Sequence, residues 1–575
     1  MFWPKLSRPQ SKTAFLERLP LEAFPAGQDP LSPQRQVQWL WIFLAIGLAA
    51  RLVRYLLRFP LWEDECMLVT NFLDRGYLDL LRPLNYCQVA PTLFLWCELT
   101  VIKLFGFSEY TLRLVPFLCG IASLFLFRHL AGLLLRGTAL VVTFGIFAVA
   151  YPPIRYTAEA KPYGCDLFLA LLMLTLLVHW LRRPGENRWL WGLAALIVPA
   201  VGFSFPALFI GGTVSLIVAY MLWSSDRRGV WPWLVFNGLL VGSFVVMLAI
   251  NHMAVGRANQ TRMEGMWMDA FPPLLHPLNL IGWFFNAHTG SMAAYPLGGP
   301  GGGSTLTFLC CVAGVVLLAR RRHWFLLTLL LAPLGLNFIA AAMHRFPYGE
   351  HMKFSLYAAM TFCTLMGLGI TALMQWYPWR RPLPRRSLAV VLGLLAAVAT
   401  GSILHDLTQP YKSSTTLRAR EFARWFWFDL AHDSELVCLE TDVKANLSPG
   451  TYEWGWSALY LCNQRIYSPR HARGEAPHWE RVSATWPLRC ALFRSTTEER
   501  QSDALDRWLA DMKRTYQLVG HDRYPFPIYG KWDRPPKTID NYIEVFKFIP
   551  LATAAESPRV PLAGRVLGCA GTSRR

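Results

Sequence analysis

The sequence is poor in charged residues. Only 16% of its 575 residues are charged, 54% are hydrophobic, and the mean hydropathy is +0.29. A soluble globular domain carries about 25% charged residues and interrupts its apolar runs with a helical or alternating period. The composition therefore excludes an ordinary soluble domain and indicates a protein that crosses a membrane several times.

Metal-binding and cleavage patterns are also missing. The chain has 12 Cys but no CxxC pair, and Cys310 and Cys311 are adjacent within an apolar run. This spacing excludes the common structural zinc sites. The first hydrophobic run lacks a small-residue cleavage site, so we interpret residues 1–37 as a cytoplasmic tail before an uncleaved first helix.

The positive charge lies mostly in short clusters between apolar runs. A formal net charge of +19 is compatible with nucleic-acid binding, but clusters of this kind are typical of cytoplasmic loops in membrane proteins. We therefore expect no nucleic-acid partner. The clusters are Arg128 with Arg136; Arg182, Arg183 and Arg188; Arg227 and Arg228; 320–322; and Arg380, Arg381, Arg385 and Arg386.

The apolar runs and the Arg clusters together predict the topology. With the tail inside, the first apolar run ends outside; with the Arg128 and Arg136 loop inside, the run at 114–131 passes from outside to inside. The run at 91–105 between them therefore cannot be a full crossing, and about 15 residues are also short for one. We expect it to lie along the outer interface, within one long external loop over 58–112. About 11 crossings remain, within a membrane region over 38–404, and the C-terminal end is external.

An acidic triplet follows the first apolar run. Glu63, Asp64 and Glu65 stand in the stretch Phe59-Pro-Leu-Trp-Glu-Asp-Glu-Cys66. Charges are costly in hydrocarbon, so the triplet is expected where the first helix leaves the membrane. It can hold a proton acceptor or a cation, or it can be a solvated helix cap.

The composition becomes polar after residue 404. Residues 405–575 contain no spanning run, and their pattern predicts helices over 417–430 and 501–516 and strands over 435–440, 490–494 and 542–548. This alternation favours a small external α/β domain. Its cysteines Cys438, Cys462 and Cys490 are compatible with a disulfide in an oxidising compartment or with buried thiols.

Several motifs in fixed order resemble a known family. After the acidic pair come Gln88-Val-Ala-Pro-Thr, Phe105-Gly-Phe-Ser-Glu-Tyr-Thr-Leu-Arg113 and Tyr156-Thr-Ala-Glu-Ala-Lys-Pro-Tyr163. The set resembles the GT-C glycosyltransferases that use polyprenyl-phosphate sugars. These include protein mannosyltransferases of family 39, the aminoarabinose transferase of lipid A, and bacterial relatives of unknown acceptor. The resemblance covers 38–375. It departs at Thr92, where a second Pro is usual, and at the additional acid Glu63.

The resemblance implies a fold and a reaction. The fold would be a polytopic α-helical GT-C-like membrane protein with a long first external loop. The reaction would transfer a sugar from a polyprenyl monophosphate to an acceptor hydroxyl, with inversion. A carboxylate takes the hydroxyl proton, and cations stabilise the leaving phosphate. The acceptor, whether lipid, glycan or protein, stays open.

The candidate residues follow from these requirements. We assign Asp64 as the base and Glu65 as its support. The donor phosphate is assigned to the cations Arg113, Lys161, Arg345 and Lys353, and substrate contacts to Glu63, Gln88, Glu159, Tyr163, Tyr348 and His351. Ordinary roles are open beside these: a snorkelling interfacial Arg for Arg113, a Glu159–Lys161 surface pair, and a plain interfacial histidine for His351.

Other functions and cofactors are also weighed. A transporter or channel would place ionisable groups near mid-membrane, whereas here they collect at one face. A ligase for lipid-linked glycans and a non-catalytic envelope-assembly protein are further alternatives. A divalent cation at Glu264, His276 and His288 is compatible with the residue types but matches no metal spacing, so no metal ligand is assigned. The expected location is the bacterial inner membrane, with the active site and the C-terminal domain on the periplasmic side.

Overall fold

The computed structural model is mainly helical. It describes residues 20–24, 28–224, 229–298, 304–376, 383–425, 436–441, 459, 462–463, 465–467, 487–495, 506, 509–525 and 541–551. The helices are α1 Pro33–Leu56, α2 Glu63–Val69, α3 Asn71–Asp74, α4 Thr92–Phe105, α5 Leu114–Leu134, α6 Gly137–Val149, α7 Tyr151–Tyr156, α8 Tyr163–Arg182, α9 Arg188–Phe203, α10 Ala207–Ser224, α11 Val230–Met266, α12 Pro277–Ala287, α13 Thr305–Arg320, α14 Trp324–Ala342, α15 Ala359–Trp376, α16 Leu383–Thr408 and α17 Ser414–Arg424.

The chain divides into two compact units. The first comprises Met1–Arg58, Gly76–Leu104 and Tyr110–Thr408, and the second comprises Phe59–Arg75, Phe105–Glu109 and Gln409–Arg575. The predicted boundary at 404 therefore falls four residues before the first unit ends. The acidic triplet, which the sequence places in the first external loop, belongs to the second unit with the C-terminal region.

The first unit contains the membrane helices. Seven helical stretches of the described residues are long and apolar enough to cross a bilayer. They are Pro33–Leu56, Thr111–Leu134, Tyr163–Arg182, Val230–Ile250, Trp324–Ala342, Met352–Gln375 and Arg385–Thr408. Four shorter apolar helices are Gly137–Val149, Arg188–Phe203, Ala207–Trp223 and Thr305–Arg320. The prediction of a helical polytopic membrane protein is confirmed, and the number of crossings stays a prediction.

Small residues allow the helices of this unit to approach closely. A Cβ atom at Gly314 or Gly369 would overlap the backbone of the facing helix, at Leu365 and Cys310 respectively. Helices α13 and α15 thus pack backbone to backbone, as membrane helices do where small residues replace bulky ones. Helix α6 is buried on all sides, with every residue from Thr138 to Val149 buried.

Contacts at one end of the unit agree with the predicted loops. Strand β1 Leu21–Glu22 pairs in parallel with β2 Leu135–Arg136, and Arg321 donates to the carbonyl of Glu22 at 2.7 Å. Three segments predicted to be cytoplasmic therefore meet. At other helix ends, Arg54 of α1 and Asp406 of α16 form a buried ion pair at 2.7 Å.

Helices α4 and α11 lie within segments that the sequence predicts as external loops. Helix α4 covers 14 residues, close to the predicted 91–105, and its position in the interface stays a prediction. Helix α11 runs for 37 residues, Val230–Met266, so the first part of the segment 251–302 is helical rather than a loop. A membrane helix that continues past the hydrocarbon into polar sequence leaves no apolar signal there.

The second unit contains a four-stranded sheet. Its strands are β3 Leu436–Thr441, β4 Leu488–Ser495, β5 Tyr516–Pro525 and β6 Asn541–Pro550, in the order β3-β4-β6-β5. β3 and β4 are parallel, whereas β6 is antiparallel to both β4 and β5. The three predicted strands are present. Strand β5 was not predicted, and Tyr516, expected to end a helix, begins it.

Candidate active site

The acidic triplet forms the first turn of α2. Glu65 is fully buried, and its Oε2 accepts a hydrogen bond from the backbone N–H of Trp62 at 3.3 Å. Asp64, in contrast, is partly exposed. A carboxylate that faces its own helix start holds the local geometry. A partly exposed neighbour is better placed to meet a substrate hydroxyl.

Burial and charge act on Glu63 in opposite directions. Burial raises the pKa of its carboxyl above the usual range, the positive charge of Lys412 lowers it, and the neighbouring Asp64 raises it. Lys412 also lies over the Trp62 ring, directly before the triplet. Lys412 comes from the C-terminal region, and no motif in the sequence marks it.

In the first unit, a buried lysine joins two of the predicted motifs. Lys161 is 4% exposed, and its Nζ donates to Oε1 of Gln88 at 2.6 Å. The Nε2 of Gln88 donates to the carbonyl of Tyr86 at 3.3 Å, so both ends of the amide are engaged. The two motif residues are thus held together in one place.

Glu159 accepts a hydrogen bond from an arginine in the same motif region. Its Oε1 accepts from Nε of Arg155 at 2.9 Å, one helical turn away, while Lys161 donates to Gln88. Arg155 also lies 5.0 Å from the ring centroid of Tyr156. The sequence analysis did not single out Arg155, although it stands four residues before Glu159, a spacing at which opposite charges can meet.

Aromatic rings surround the ammonium group of Lys353. The ring centroids lie 4.9 Å from Nζ for Trp267, 5.3 Å for Phe354 and 6.0 Å for Tyr163. Cations are attracted to aromatic faces within about 6 Å. Two predicted site residues, Tyr163 and Lys353, are thereby brought together, and Trp267 is added to them.

Tyr348 and His288 form a buried pair. Nδ1 of His288 lies 2.8 Å from the carbonyl of Phe284 and must donate there, so its Nε2 accepts from the Tyr348 hydroxyl at 3.2 Å. Burial lowers the pKa of His288 and raises that of Tyr348. Gly349, with φ +77°, makes the turn after Tyr348, where a Cβ would also meet Ala287.

The remaining predicted residues differ in exposure. Arg113 is 4% exposed at the start of α5, so it is a buried arginine and not one that snorkels at the surface. Arg345 and His351 are exposed. The ring of His351 meets that of Trp267 edge-on at 5.3 Å, which attaches it to the group around Lys353.

The described residues offer no group of three metal-ligating side chains. His276 is exposed, whereas His288 is engaged by Phe284 and Tyr348; the side chain of Glu264 lies outside the described residues. The thiols of Cys462 and Cys490 are buried, and the side chain of Cys438 lies outside the described residues.

Comparisons with known proteins give similarities of structure. No protein-family model and no curated protein sequence matches the chain. ArnT from Cupriavidus metallidurans bound to undecaprenyl phosphate is similar with a TM-score of 0.44 and 13% identity, over 88% of this chain and 98% of that one. The oligosaccharyltransferase AglB from Archaeoglobus fulgidus, in complex with an inhibitory peptide and a dolichol-phosphate, is similar with a TM-score of 0.41 and 12% identity, over 87% and 74%.

Both proteins are GT-C glycosyltransferases, the class that the sequence motifs resemble. The similarity extends over most of the chain, but both the sequence identity and the TM-score are low. No residue role, donor or acceptor is carried over from either protein.

Proposed function

We propose that this protein is a membrane glycosyltransferase that moves one sugar from a polyprenyl-phosphate donor to an acceptor hydroxyl. The observation that carries the proposal is the arrangement of two cations in the segments expected to face outward. Lys161 is buried against a neutral amide, and Lys353 is held by aromatic rings. Cations in such surroundings are poorly hydrated and suit a phosphate that develops negative charge.

The reaction is a single displacement at the anomeric carbon. The acceptor oxygen forms the new bond to that carbon while the bond from the carbon to the phosphate oxygen breaks. The hydroxyl proton passes to the carboxylate of Asp64, and the polyprenyl phosphate leaves with the electron pair. Attack from the opposite face inverts the configuration, and no group needs to protonate the leaving phosphate.

The other residues have supporting roles in the proposal. Arg113, Lys161, Arg345 and Lys353 neutralise the phosphate, and Glu65 orients the first turn of α2. Gln88, Glu159, Tyr163, Tyr348, His351 and Glu63 contact the substrates or hold the groups that do. Hexosyl and pentosyl donors both satisfy this chemistry.

The proposed location is the bacterial inner membrane, with the site on the periplasmic side. A cysteine introduced at Ser108 should react from outside with a membrane-impermeant thiol reagent, in a background whose native thiols give no label. The expected result is labelling of intact cells. Labelling only after permeabilisation would make 91–105 a true crossing and would contradict the proposed topology.

Mass analysis of membrane lipids and envelope glycans tests the reaction class. Cells that lack the protein should accumulate a polyprenyl monophosphate carrying one sugar and should lose one sugar from an envelope glycan, lipid or protein. Accumulation of a diphosphate carrying a polymer would instead indicate a ligase. An unchanged lipid and glycan profile would contradict the proposal.

A further inference from the structure

Two thiols of the first unit lie side by side. The Sγ atoms of Cys119 in α5 and Cys165 in α8 are 3.6 Å apart, although the two residues are 46 positions apart in the chain. Cys119 is partly exposed, whereas Cys165 is 2% exposed. The motifs of the sequence assign no role to either residue.

The backbones of α5 and α8 approach closely at the level of this pair. A Cβ atom at Gly164, directly before Cys165, would lie 2.8 Å from the carbonyl oxygen of Pro116 and 3.1 Å from its Cα. Pro116 stands three residues before Cys119, within the same turn of α5. A glycine at this position permits the contact, as small residues do between membrane helices. The two cysteines therefore stand where one helix backbone meets the other.

This arrangement suits a disulfide. A disulfide joins Cα atoms about 4.4–6.8 Å apart and places its sulfur atoms about 2.0 Å apart. Starting from 3.6 Å, the sulfurs of Cys119 and Cys165 need to approach by about 1.5 Å, the scale of a side-chain rotation and not of a helix displacement. While both residues are reduced, the same contact is a weak hydrogen bond between two thiols.

The pair lies toward the helix ends that the proposed topology places outside. Helix α5 begins at Leu114, five residues before Cys119, and α8 begins at Tyr163, two residues before Cys165. The bacterial periplasm oxidises thiols, whereas the cytosol keeps them reduced. The proposed orientation therefore exposes this end of the two helices to an oxidising compartment.

We propose that Cys119 and Cys165 form a disulfide that joins α5 to α8. The oxidant is a compound or protein that itself carries a disulfide. The more exposed Cys119 attacks that disulfide as a thiolate, forms a mixed disulfide and releases one thiol of the oxidant. The sulfur of Cys165 then attacks the sulfur of Cys119, and the second thiol of the oxidant leaves. The pair loses two protons and two electrons, and the oxidant is reduced to two thiols.

The linkage holds together the helices that follow two cations of the proposed donor site. Arg113 is the N-cap residue of α5, and Lys161 stands two residues before the start of α8. A bond between the helices limits the change in spacing between these cations. This consequence rests on the proposed function, and the oxidising surroundings rest on the proposed topology. The closeness of the two thiols depends on neither.

Mass spectrometry of the full chain tests the linkage without a donor. Membranes prepared without reductant are denatured in N-ethylmaleimide and digested, and the peptides that contain residues 119 and 165 are analysed. In the wild type we expect one linked pair of peptides, which dithiothreitol separates. In Cys119→Ala and Cys165→Ala the remaining cysteine should be alkylated. Cys97→Ala, which removes a partly exposed thiol on α4, is the matched control and should keep the linkage.

Two results would overturn the proposal. One is alkylation of both Cys119 and Cys165 in most wild-type molecules, whether or not an added oxidant joins them afterwards in detergent. The other is linkage of either residue to a different cysteine, with Cys97 as the nearest alternative on α4 to examine.

Kinetics separate this inference from the proposed function. In an active preparation, dithiothreitol should raise the KM for the donor about two- to tenfold, because helices that are no longer joined must be ordered when the donor binds. The double variant Cys119→Ala with Cys165→Ala should show the raised KM with and without dithiothreitol. A linked protein that transfers no sugar would defeat the proposed function alone, and an active enzyme with both thiols alkylated would defeat the inference alone. An unchanged KM after reduction of the linkage would overturn its effect on the donor site.

Discussion

Lys161 and Gln88 are 73 residues apart in the chain, and Nζ of the lysine lies 2.6 Å from Oε1 of the glutamine. The amide accepts from the ammonium group without neutralising it. Its other end donates to Tyr86 and fixes its orientation. A buried cation is thus held in place by a neutral amide.

Changing either member of this pair should weaken use of the donor. Lys161→Ala removes a charge-assisted contact worth about 1.5–3 kcal/mol, which corresponds to roughly ten- to hundredfold in transfer efficiency. Gln88→Glu places an anion against Lys161 and should raise the KM for the donor, with kcat less affected. Steady-state kinetics on both variants test this.

The exposed Lys103, which lies over the Tyr77 ring at 4.3 Å, provides the control. Lys103→Met should retain wild-type kinetics. Normal donor use in both Lys161→Ala and Gln88→Glu would show that the pair is only structural.

The aromatic rings around Lys353 predict that donor use depends on the residue at position 267. Trp267→Leu removes one ring face from the ammonium, and such a contact is worth about 0.5–2 kcal/mol, so donor use should fall about three- to thirtyfold. Trp267→Phe keeps a ring face and should recover most of the loss. The comparison is made on the KM for the donor, with Trp223→Leu, which removes a 94% exposed ring, as the control. Equal losses in the Leu and Phe variants would contradict a role for the ring face.

The buried Glu98 on α4 should make the free energy of unfolding depend on pH. The residue is 1% exposed, and neither carboxyl oxygen has a hydrogen-bond partner among the described residues. Burial, with a smaller effect of the Cys119 thiol, raises its pKa well above the usual range. The folded protein therefore keeps a proton on Glu98 that the unfolded chain releases near pH 4.3. The contribution of Glu98 to the free energy of unfolding is greatest below about pH 4.3 and falls as the pH rises from there to the pKa of the folded state.

Thermal unfolding in detergent checks the Glu98 prediction. Glu98→Gln has a neutral group of similar size and should lose less stability than the wild type as the pH is raised. We expect its Tm to exceed that of the wild type at the upper end of the range. Parallel pH profiles for the two proteins would show that Glu98 is ionised in the folded state.

The sequence predicted the helices better than the site. Apolar runs and Arg clusters suffice for membrane helices because hydrocarbon admits few charges. They gave no signal where α11 continues into polar sequence. Strand β5 was missed because its alternation is interrupted, with a register shift between Leu518 and Gly520.

The contacts of the site depend on residues far apart in the chain. Lys161 contacts Gln88, 73 residues earlier in the chain, and no local pattern in the sequence indicates that contact. Trp267 and Lys412 carry no local pattern that marks them. Motif order identified the segments, but only folding decides which side chain of one segment meets which of another.

The central claim is that Asp64 is the base, and transfer by Asp64→Asn tests it most directly. Once lipid analysis has supplied a donor, transfer is measured for Asp64→Asn, Glu65→Gln and Glu63→Gln alongside donor binding. The amide keeps the size of the carboxylate but cannot take a proton, so Asp64→Asn should lose about 10²- to 10⁴-fold in rate and keep its affinity for the donor. Glu65→Gln should lose less, and Glu63→Gln least. Full transfer by Asp64→Asn would contradict the account, and full transfer by all three variants would reduce the triplet to a solvated helix cap.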